Sequence, residues 1–368
     1  MSEIYIGIMS GTSMDGIDLA AVDFSGKRPI QVAACEKKWD QMLVSELHAL
    51  CAPGYNEIDR AWAAGNAISE AFATGVKELL NLAGLSPNDI RAIGSHGQTV
   101  RHRPEHGYSV QLGNGALLAA MTGIDVICDF RSADLSRRGQ GAPLVPAFHK
   151  VVFSKEDTLR HILNIGGIAN VSCLDPKNNA PVGFDTGPGN TLMDALCRKT
   201  WNIGYDKDGK RAALGKVDEQ LLRAFMEHPY LSIPWPKSTG RETFTPEWTD
   251  FVINQQNRAI APEDILRTLA SFTARSAAEA IKNLSDSRYF EVYVCGGGAK
   301  NPLIMECLSQ ELQGMHVGTT SELGADPDFV EAVAFAWLAM MFMTKRKCPL
   351  TAVTGASSDA ILGCLYPA

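Results

Sequence analysis

The N-terminal part of the chain alternates between apolar runs and short polar turns. The runs IYIGIM and IDLAAVDF flank the turn SGTSMDG, and a second turn, SGKRP, leads into the run IQVAACEKKW. Short apolar runs that end at glycine or proline turns are typical of β-strands. The pattern therefore predicts an antiparallel meander of three strands.

Helical periodicity begins at about Glu57 and ends near Leu82, where Ala, Leu and Ile recur at the spacing of one helix face. The apolar runs RAIGSHG and DVICDF predict two further strands, with a short helix at GALLAAM between them. Near Arg160 the order of elements starts again. HILNIGGIANVSCL predicts a hairpin turned at two glycines, PVGFDTG a short strand, and EVYVCGGG a strand before a helix that begins near Asn301.

Two successive sets of strands followed by helices predict a duplicated α/β domain. The length of 368 residues suits two domains, given a usual size of about 150 residues each. We place the first lobe at residues 1–143, joined by a C-terminal helix at 350–368, and the second lobe at residues 144–349. No low-complexity linker separates the halves, so we expect lobes that pack around a shared cleft.

Composition and charge exclude several classes of function. With 45% hydrophobic and 20% charged residues, the chain is neither a disordered protein nor a coiled coil. The net charge of −7, without a basic run, argues against a nucleic acid or an anionic membrane as partner. The sequence lacks a signal-peptide pattern, an apolar stretch of about 18 residues, and any CxxC pair among its nine cysteines. We therefore expect a cytoplasmic protein.

Two glycine-containing turns are candidate phosphate loops. The segment 10–16 spaces its glycines as a P-loop does, but Ile17 and Asp18 stand where that motif needs Lys and Ser/Thr. A plain hairpin remains an alternative, although two hydroxyls and a carboxylate between glycines exceed what a turn needs. Glycines let the backbone come close to phosphate oxygens. The hairpin LNIGGIAN has the same form and is its counterpart in the second set of strands.

Two further motifs carry candidate chemistry. In GFDTGPGN, Asp185 ends a short strand and Asn190 is a plausible helix N-cap. That carboxylate could close a turn, or it could take a proton from water or from a sugar hydroxyl. CGGGAKNP lacks the last glycine of GxGxxG, so a surface for adenine or ribose fits it better than a Rossmann loop.

In this order, the motifs resemble those of the actin, hexokinase and Hsp70-like ATPases. A narrower resemblance, to the anhydro-N-acetylmuramic acid kinase family, extends from Met9 to about Ala339. It rests on MSGTSMDGID, GSHGQTVRHRP, DFRSADLSRRGQGAPLVPAFH, LNIGGIANVS, GFDTGPGN, DKDGKRAALGKVD, KSTGRETF, CGGGAKNP and EAVAFAWLA. The resemblance implies a two-lobed actin/hexokinase-like α/β fold, built from duplicated RNase H-like domains with the active site in the interdomain cleft.

The resemblance also implies an activity and its residues. That family opens 1,6-anhydro-N-acetylmuramic acid with water and phosphorylates O6 from ATP and Mg²⁺, which yields N-acetylmuramic acid 6-phosphate in peptidoglycan recycling. Asp185 would be the base that activates water, and a homodimer is implied. ATP would be bound by Gly11, Thr12, Ser13, Met14, Asp15, Gly16, Ile17, Asp18, Asn164, Gly166, Gly167, Gly296, Gly297, Gly298 and Asn301. The sugar would be bound by His96, Gln98, Thr99, Arg131 and Glu331.

Several alternatives stay open. Arg131 could pair with the lactyl carboxylate of the sugar, whereas for His96 alone a structural role is the better explanation. A carboxylate in the first turn of a helix, such as Glu331, is expected from the helix dipole alone. The metal ligands are not assigned. Competing functions are an ordinary hexose or amino-sugar kinase, an actin-like assembly ATPase, and a phosphate-ester or polyphosphate hydrolase on the same fold.

Overall fold

The computed structural model describes residues 3–11, 14, 16–26, 28–178, 181–240, 243–286 and 288–368. The chain divides into two compact units, Met1–Val152 with Phe329–Ala368, and Phe153–Asp328. The strands are β1 Ile4–Met9, β2 Ile17–Asp23, β3 Ile30–Lys37, β4 Ile90–Ser95, β5 Gln98–Arg103, β6 Tyr108–Leu112, β7 Val126–Cys128, β8 Leu159–Ile165, β9 Ile168–Leu174, β10 Val182–Pro188, β11 Phe290–Cys295, β12 His316–Thr319 and β13 Cys364–Tyr366.

The helices show the predicted alternation with the strands. They are α1 Gln41–Leu50, α2 Glu57–Ala83, α3 Gly115–Thr122, α4 Ser132–Leu135, α5 Val145–Phe153, α6 Thr191–Trp201, α7 Glu219–Met226, α8 Pro246–Asn254, α9 Pro262–Leu284, α10 Pro302–Glu311, α11 Val330–Met343 and α12 Thr351–Thr354. The long helix expected from the periodicity is α2. In the described part of the chain, no helix combines the length and the apolar character needed to cross a bilayer.

The sheet of the first unit has the order β13-β7-β4-β1-β2-β3 among the described residues. β1, β2 and β3 are antiparallel neighbours, which confirms the predicted meander, and β4 and β7 continue the sheet in parallel with β1. β5 and β6 form a separate antiparallel hairpin. The sequence pattern did not predict this hairpin, because QTVRHR contains few apolar residues.

The sheet of the second unit has the order β10-β9-β8-β11-β12. β8, β9 and β10 are antiparallel neighbours, and β11 and β12 run parallel to β8. The first unit repeats this arrangement, with β13 added at one edge. A meander followed by two parallel strands is the arrangement of the RNase H-like domain, so the predicted duplication is confirmed by the strand order.

Helix α11 lies against the first sheet because β1 and β4 both carry glycine at the contact. A Cβ atom at Gly7 would collide with the main-chain oxygen of Ala332, and one at Gly94 with that of Phe335. Such a close approach of two backbones requires glycine. The helix is apolar on nearly all sides, which is typical of a buried helix. It therefore belongs to the first unit.

The observed division differs from the predicted lobe boundaries at 143/144 and 349/350. Residues 144–152 and 329–349 lie in the first unit, where Phe148 of α5 packs on Trp337 of α11 with ring centroids 6.0 Å apart. Hydrophobic patterning does not show which sheet such a helix covers. The C-terminal segment 350–368 is not the predicted helix. It holds the short α12 and then β13, which pairs with β7.

Candidate active site

Loop 1, residues 10–16, connects β1 to β2 as predicted. The predicted phosphate contacts Thr12, Ser13 and Asp15 lie outside the described residues. Met14 has a left-handed backbone, with φ of 55°, and its buried side chain belongs to the apolar core of the first unit. Met14 therefore anchors loop 1 to the apolar core of the first unit.

The two residues after loop 1 face opposite sides of β2. Ile17 is completely buried in the core, so its side chain is not available to a nucleotide. Asp18 is partly buried and lies opposite Glu36 of β3. Of these two predicted ATP contacts, Asp18 alone presents a polar side chain near the loop.

Gln98 attaches loop 1 to β5. Its Oε1 accepts a hydrogen bond from Ser10 Oγ at 2.7 Å, and its Nε2 donates to the main-chain oxygen of Gly11 at 3.1 Å. Trp39 Nε1 donates to the same Ser10 hydroxyl at 3.2 Å. The predicted sugar contact needs correcting, because Gln98 has no exposed surface and its amide is used by the loop. Thr99 is tied into the β5–β6 hairpin, where its hydroxyl accepts from Gln111 at 3.1 Å.

His96, Arg131 and Glu331 come together beyond the C-terminal end of β4 in the first unit. His96 follows β4, Arg131 precedes α4, and Glu331 lies in the first turn of α11. Arg131 Nη2 lies 2.8 Å from His96 Nε2, and Arg131 Nη1 donates to the main-chain oxygen of Gly141 at 2.7 Å. Because a guanidinium has no acceptor, His96 must accept at Nε2 and donate from Nδ1 to the main-chain oxygen of Gly97, 3.0 Å away.

The protonation states of this cluster follow from its burial. Burial, together with the Arg131 guanidinium, lowers the pKa of His96 to about 3, so the imidazole is neutral. Burial lowers the pKa of Arg131 to about 10, while the carboxylates of Glu331 and Asp134 act in the opposite direction. Arg131 thus remains charged at neutral pH.

Arg131 retains an unused donor. Its Nε is buried and has no hydrogen-bond partner among the described residues. An unsatisfied buried donor costs about 1–3 kcal/mol, and more for a charged group, so an acceptor supplied by a ligand would be favoured here. Guanidinium groups donate strongly to carboxylates, and the contact of Arg131 with the lactyl carboxylate of the sugar stays a prediction.

A pocket of about 310 Å³ opens beside His96 in the first unit. Its size is at the lower end of the range for small-molecule sites. The lining is mostly small or polar, which suits a ligand rich in hydroxyl and amide groups. Residues of the wall include Ser95, His96, Gly97, Asn114, Asp129 and Ser132.

In the second unit, the strand register brings four polar or sulfur-containing residues into one row. Cys295 of β11 pairs with Asn164 of β8, Asn164 with Asn170 of β9, and Asn170 with Asp185 of β10. Paired residues share a face of the sheet, and neighbouring strands lie about 4.8 Å apart. Asn164 and Asp185 are therefore about 10 Å apart, with Asn170 between them. Sequence reasoning missed Asn170, although asparagines at both ends of LNIGGIAN were a usable signal.

Loop 2, residues 165–168, connects β8 to β9 and is held by the start of α6. The side chain of Asn190 donates from Nδ2 to the main-chain oxygens of Ile165 and Gly166, at 3.2 and 3.1 Å. The main-chain N–H groups of Asn190 and Gly189 donate to Gly166 and Gly167 at 2.8 and 2.9 Å. Asn190 occupies the N-cap position, but its side chain makes no capping bond there. It supports loop 2 instead of the helix.

The three glycines after β11 lie directly against loop 2. Gly296 has a φ of 77°, and a Cβ atom there would collide with Asn164 Oδ1. A Cβ atom at Gly298 would collide with the side chain of Ile165. The structure thus brings the predicted contacts Asn164, Gly166, Gly167 and 296–298 together.

Asn301 has a different role from the predicted ATP contact. Its Oδ1 accepts from the main-chain N–H groups of Leu303 and Ile304, at 3.1 and 3.4 Å, and so caps α10. The side chain is already engaged by the helix that it begins.

Asp185 is partly buried and is held from two sides. Its Oδ2 accepts from the N–H of Thr239 at 2.8 Å, and its main-chain oxygen accepts from the hydroxyl of Tyr230 at 2.8 Å. Lys237 lies close enough for its ammonium to interact with the Asp185 charge. Sequence reasoning missed these three partners. Lys237 and Thr239 belong to the motif KSTGRETF, which suggested no contact with Asp185, and Tyr230 precedes that motif. A carboxylate held in this way is suited to accept a proton.

Among the residues that the structure describes, no group of three or more His, Cys, Asp or Glu side chains is placed to hold a metal ion.

The two units share one strand order, and glycine-rich turns end the strands that begin each meander. Together, the repeated strand order and these turns define the actin- and hexokinase-like fold class. A family model described as anhydro-N-acetylmuramic acid kinase matches residues 3–368. The chain belongs to the anhydro-N-acetylmuramic acid kinase family.

Individual relatives agree with this assignment. An anhydro-N-acetylmuramic acid kinase of Shewanella sp. (strain ANA-3) is 48% identical over 361 residues, which cover 98% of this chain and 97% of the relative. One of Burkholderia thailandensis is 46% identical over 377 residues, with coverage of 99% and 97%. Among solved structures, a ROK family glucokinase from Streptomyces griseus is similar at 12% identity and a TM-score of 0.41, over 91% of this chain and 98% of that one.

Proposed function

We propose that this chain uses ATP to convert 1,6-anhydro-N-acetylmuramic acid and water into N-acetylmuramic acid 6-phosphate, in the recycling of peptidoglycan. The observation that carries the proposal is the position of Asp185. It lies in one row with Asn170 and Asn164, two residues of the strand register from loop 2. A carboxylate at this place is suited to activate a nucleophile next to bound phosphates.

The proposed chemistry needs one base. Asp185 takes a proton from water while the water oxygen bonds to the anomeric carbon and the bond from that carbon to O6 breaks. O6 bonds to the γ-phosphorus, and ADP leaves. Glycoside hydrolysis normally requires a second carboxylic acid to protonate the leaving oxygen. Here the phosphoryl group takes the place of that proton.

The sugar half of the proposal rests on the cluster of His96, Arg131 and Glu331. The unpartnered Nε of Arg131 supports a salt bridge with the lactyl carboxylate of the substrate. His96 is neutral and holds Arg131 in place through Nε2. The adjoining pocket of about 310 Å³ is of a size suited to an amino sugar.

The nucleotide-binding part of the proposal rests on the main chain of three glycine-containing segments. The glycines of loop 1, of loop 2 and of residues 296–298 carry no side chain, which lets a backbone approach phosphates and a ribose closely. Mg²⁺ bound to ATP would neutralise charge on the transferred phosphoryl group. Asp18 is the described carboxylate nearest loop 1 in the sequence and is the candidate for an outer contact to that ion.

The proposal is tested by coupling ADP release to NADH oxidation with purified protein, Mg²⁺-ATP and 1,6-anhydro-N-acetylmuramic acid. We expect ADP release that depends on the sugar, and a ring-opened product phosphorylated at O6. Equal or greater turnover with free N-acetylmuramic acid would favour an ordinary amino-sugar kinase. ADP release that is the same without any sugar would favour a hydrolase or an assembly ATPase.

Gln98→Leu should weaken ATP binding about tenfold, because loop 1 loses hydrogen bonds worth about 1 kcal/mol each. Calorimetric titration with a non-hydrolysable ATP analogue measures this change. Gln111→Leu is the matched control, since Gln111 bonds to Thr99 and Ser109 within the β5–β6 hairpin. Normal ATP affinity with reduced sugar affinity in Gln98→Leu would restore Gln98 as a sugar contact.

We further propose a cytoplasmic homodimer. The support for association is an exposed apolar surface at the start of α2, where Tyr55, Ile58 and Trp62 are 93%, 77% and 65% exposed. The proposed use of ATP supports the cytoplasmic location. Sedimentation equilibrium should give about twice the mass of the 39.8 kDa chain, and a mass of one chain would reject the dimer.

A further inference from the structure

One segment of the second unit contacts Asp185 at both its main chain and its carboxylate. We define the clamp segment as residues 230–240. Its first residue, Tyr230, donates from its hydroxyl to the main-chain oxygen of Asp185 at 2.8 Å. Near its end, the N–H of Thr239 donates to Asp185 Oδ2 at 2.8 Å. The orientation of the carboxylate therefore depends on how the two ends of the clamp segment are held together.

Lys237 joins the two ends of the clamp segment. Its Nζ donates to the main-chain oxygens of Tyr230 and Leu231, both at 3.2 Å. The same ammonium lies 4.6 Å from the ring centroid of Tyr230 and 5.7 Å from that of Phe184. Contacts of a cation with aromatic faces at these distances are attractive, particularly when the cation is partly desolvated. Lys237 stands two residues before Thr239, so these contacts fix the part of the segment that carries the Asp185 donor.

The charge of Lys237 also acts on Asp185. Burial lowers the pKa of Lys237, and the negative charge of Asp185 acts in the opposite direction. Because the attraction is mutual, the ammonium favours the ionised form of Asp185. Tyr230, the other titratable group of the segment that faces Asp185, stays neutral, since burial and then the Asp185 charge raise its pKa. The charged group that the clamp segment places near Asp185 thus favours the form that a general base needs.

We propose that Lys237 is a positioning residue for the general base: it closes the clamp segment so that the main-chain N–H of Thr239 orients the carboxylate of Asp185. The role of Asp185 as base is taken from the proposed function. Tyr230 supports the same arrangement from the core, where its ring packs edge-on against Phe244 with centroids 5.7 Å apart. Lys237 acts through Asp185 and is given no contact with the reacting atoms.

The test combines a direct titration of Asp185 with kinetics. Protein labelled with ¹³C at the aspartate carboxyl carbons is titrated by NMR, and the Asp185 signal is the one absent from Asp185→Asn. In Lys237→Met we expect the pH midpoint of this signal to rise by about one unit, and the acidic limb of kcat/KM to move with it. At pH 7 we expect kcat to fall about tenfold to a hundredfold, with KM for ATP within about twofold of wild type. Lys237→Arg, which keeps the charge, should restore the midpoint.

Lys282→Met is the matched control, because Lys282 is exposed on α9 in the same unit. It removes one positive charge and should leave the Asp185 signal and kcat unchanged. If Lys237→Met does not fold, Lys237→Gln serves the same measurement, since its amide can still donate to the two carbonyl groups.

The outcomes separate the proposal from the function on which it rests. An unmoved Asp185 signal in Lys237→Met would overturn the positioning role, even if activity fell, because a general structural defect lowers kcat without changing that titration. A shifted signal with an unmoved acidic limb would support Lys237 as the partner of Asp185 and would reject Asp185 as the base, which overturns the proposed function instead.

Discussion

Asp185→Asn should lower kcat for sugar-dependent ADP release by about a thousandfold. An amide cannot take the proton of the attacking water, and general base catalysis contributes about 10²–10⁴ to the rates of enzymes. Asparagine keeps an oxygen at the place where Thr239 donates, so the clamp segment should stay in position. Single-turnover measurements at saturating ATP and sugar isolate the chemical step.

The matched control is Asp250→Asn. Asp250 is an exposed carboxylate of the same unit that pairs with Lys199 at 2.6 Å, and pairs of this kind contribute little to stability. The kcat of Asp250→Asn should stay within about twofold of wild type. If Asp185→Asn keeps more than a tenth of the wild-type kcat while Asp250→Asn is normal, another group must activate the water. Binding of the ATP analogue should be unchanged in both variants.

The parts of the site that sequence could predict are those fixed by neighbours in the chain. The glycine-turned hairpin at 165–168 follows from two apolar runs and a Gly-Gly pair, and the register then places Asp185 in line with Asn164. The N-terminal meander and the long helix α2 are likewise determined by residues that are close together in the sequence. For that reason their boundaries agree with the predictions to within a few residues.

The remaining errors concern side chains whose partners are distant in the sequence. Gln98 reaches loop 1 across 87 residues, and Thr239 reaches Asp185 across 54. The roles of two asparagines were difficult to predict for a related reason. Asn190 and Asn301 both stand before a helix, yet the first supports loop 2 while the second caps its helix. The sequence signals for the start of a helix predict the same N-capping role for both residues.

The assignment of α11 shows the same limit at the level of domains. Its nearly uniform apolar character predicts burial but does not identify the sheet that it covers. That information is in Gly7 and Gly94, whose missing side chains leave room for the helix backbone. A glycine inside a strand can mark the close approach of another backbone, but the sequence does not identify the element that approaches.

Lowering the pH from 7.5 to 5 should destabilise both units through three buried histidines. Burial lowers the pKa of His96, His149 and His161 to about 3 in the folded chain, in His96 with help from Arg131 and in His161 from Arg288. The unfolded chain has histidine pKa values near 6.5, so below that pH it binds protons that the folded chain does not bind. Stability is therefore fully present above about pH 6.5 and is lost progressively as the pH falls towards 3.

The expected loss between pH 7.5 and 5 is about 2 kcal/mol for each histidine. This amounts to about 4 kcal/mol in the first unit, which holds His96 and His149, and about 2 kcal/mol in the second, which holds His161. Burial also lowers the pKa of His102 and His228, so they act in the same direction. Urea unfolding at several pH values between 5 and 7.5 measures the loss, and carboxylates with lowered pKa values contribute mainly below this window.

His161→Gln separates this cause from general acid sensitivity. Glutamine can still bond to Ser285, the present partner of His161 Nε2 at 3.0 Å, but it does not titrate. The variant should be less stable than wild type at pH 7.5 and should lose about 2 kcal/mol less on acidification. His106→Gln, at an exposed site, should keep the full wild-type dependence. A wild-type loss below about 1 kcal/mol, or an equal flattening in both variants, would show that the buried imidazoles do not control the acid response.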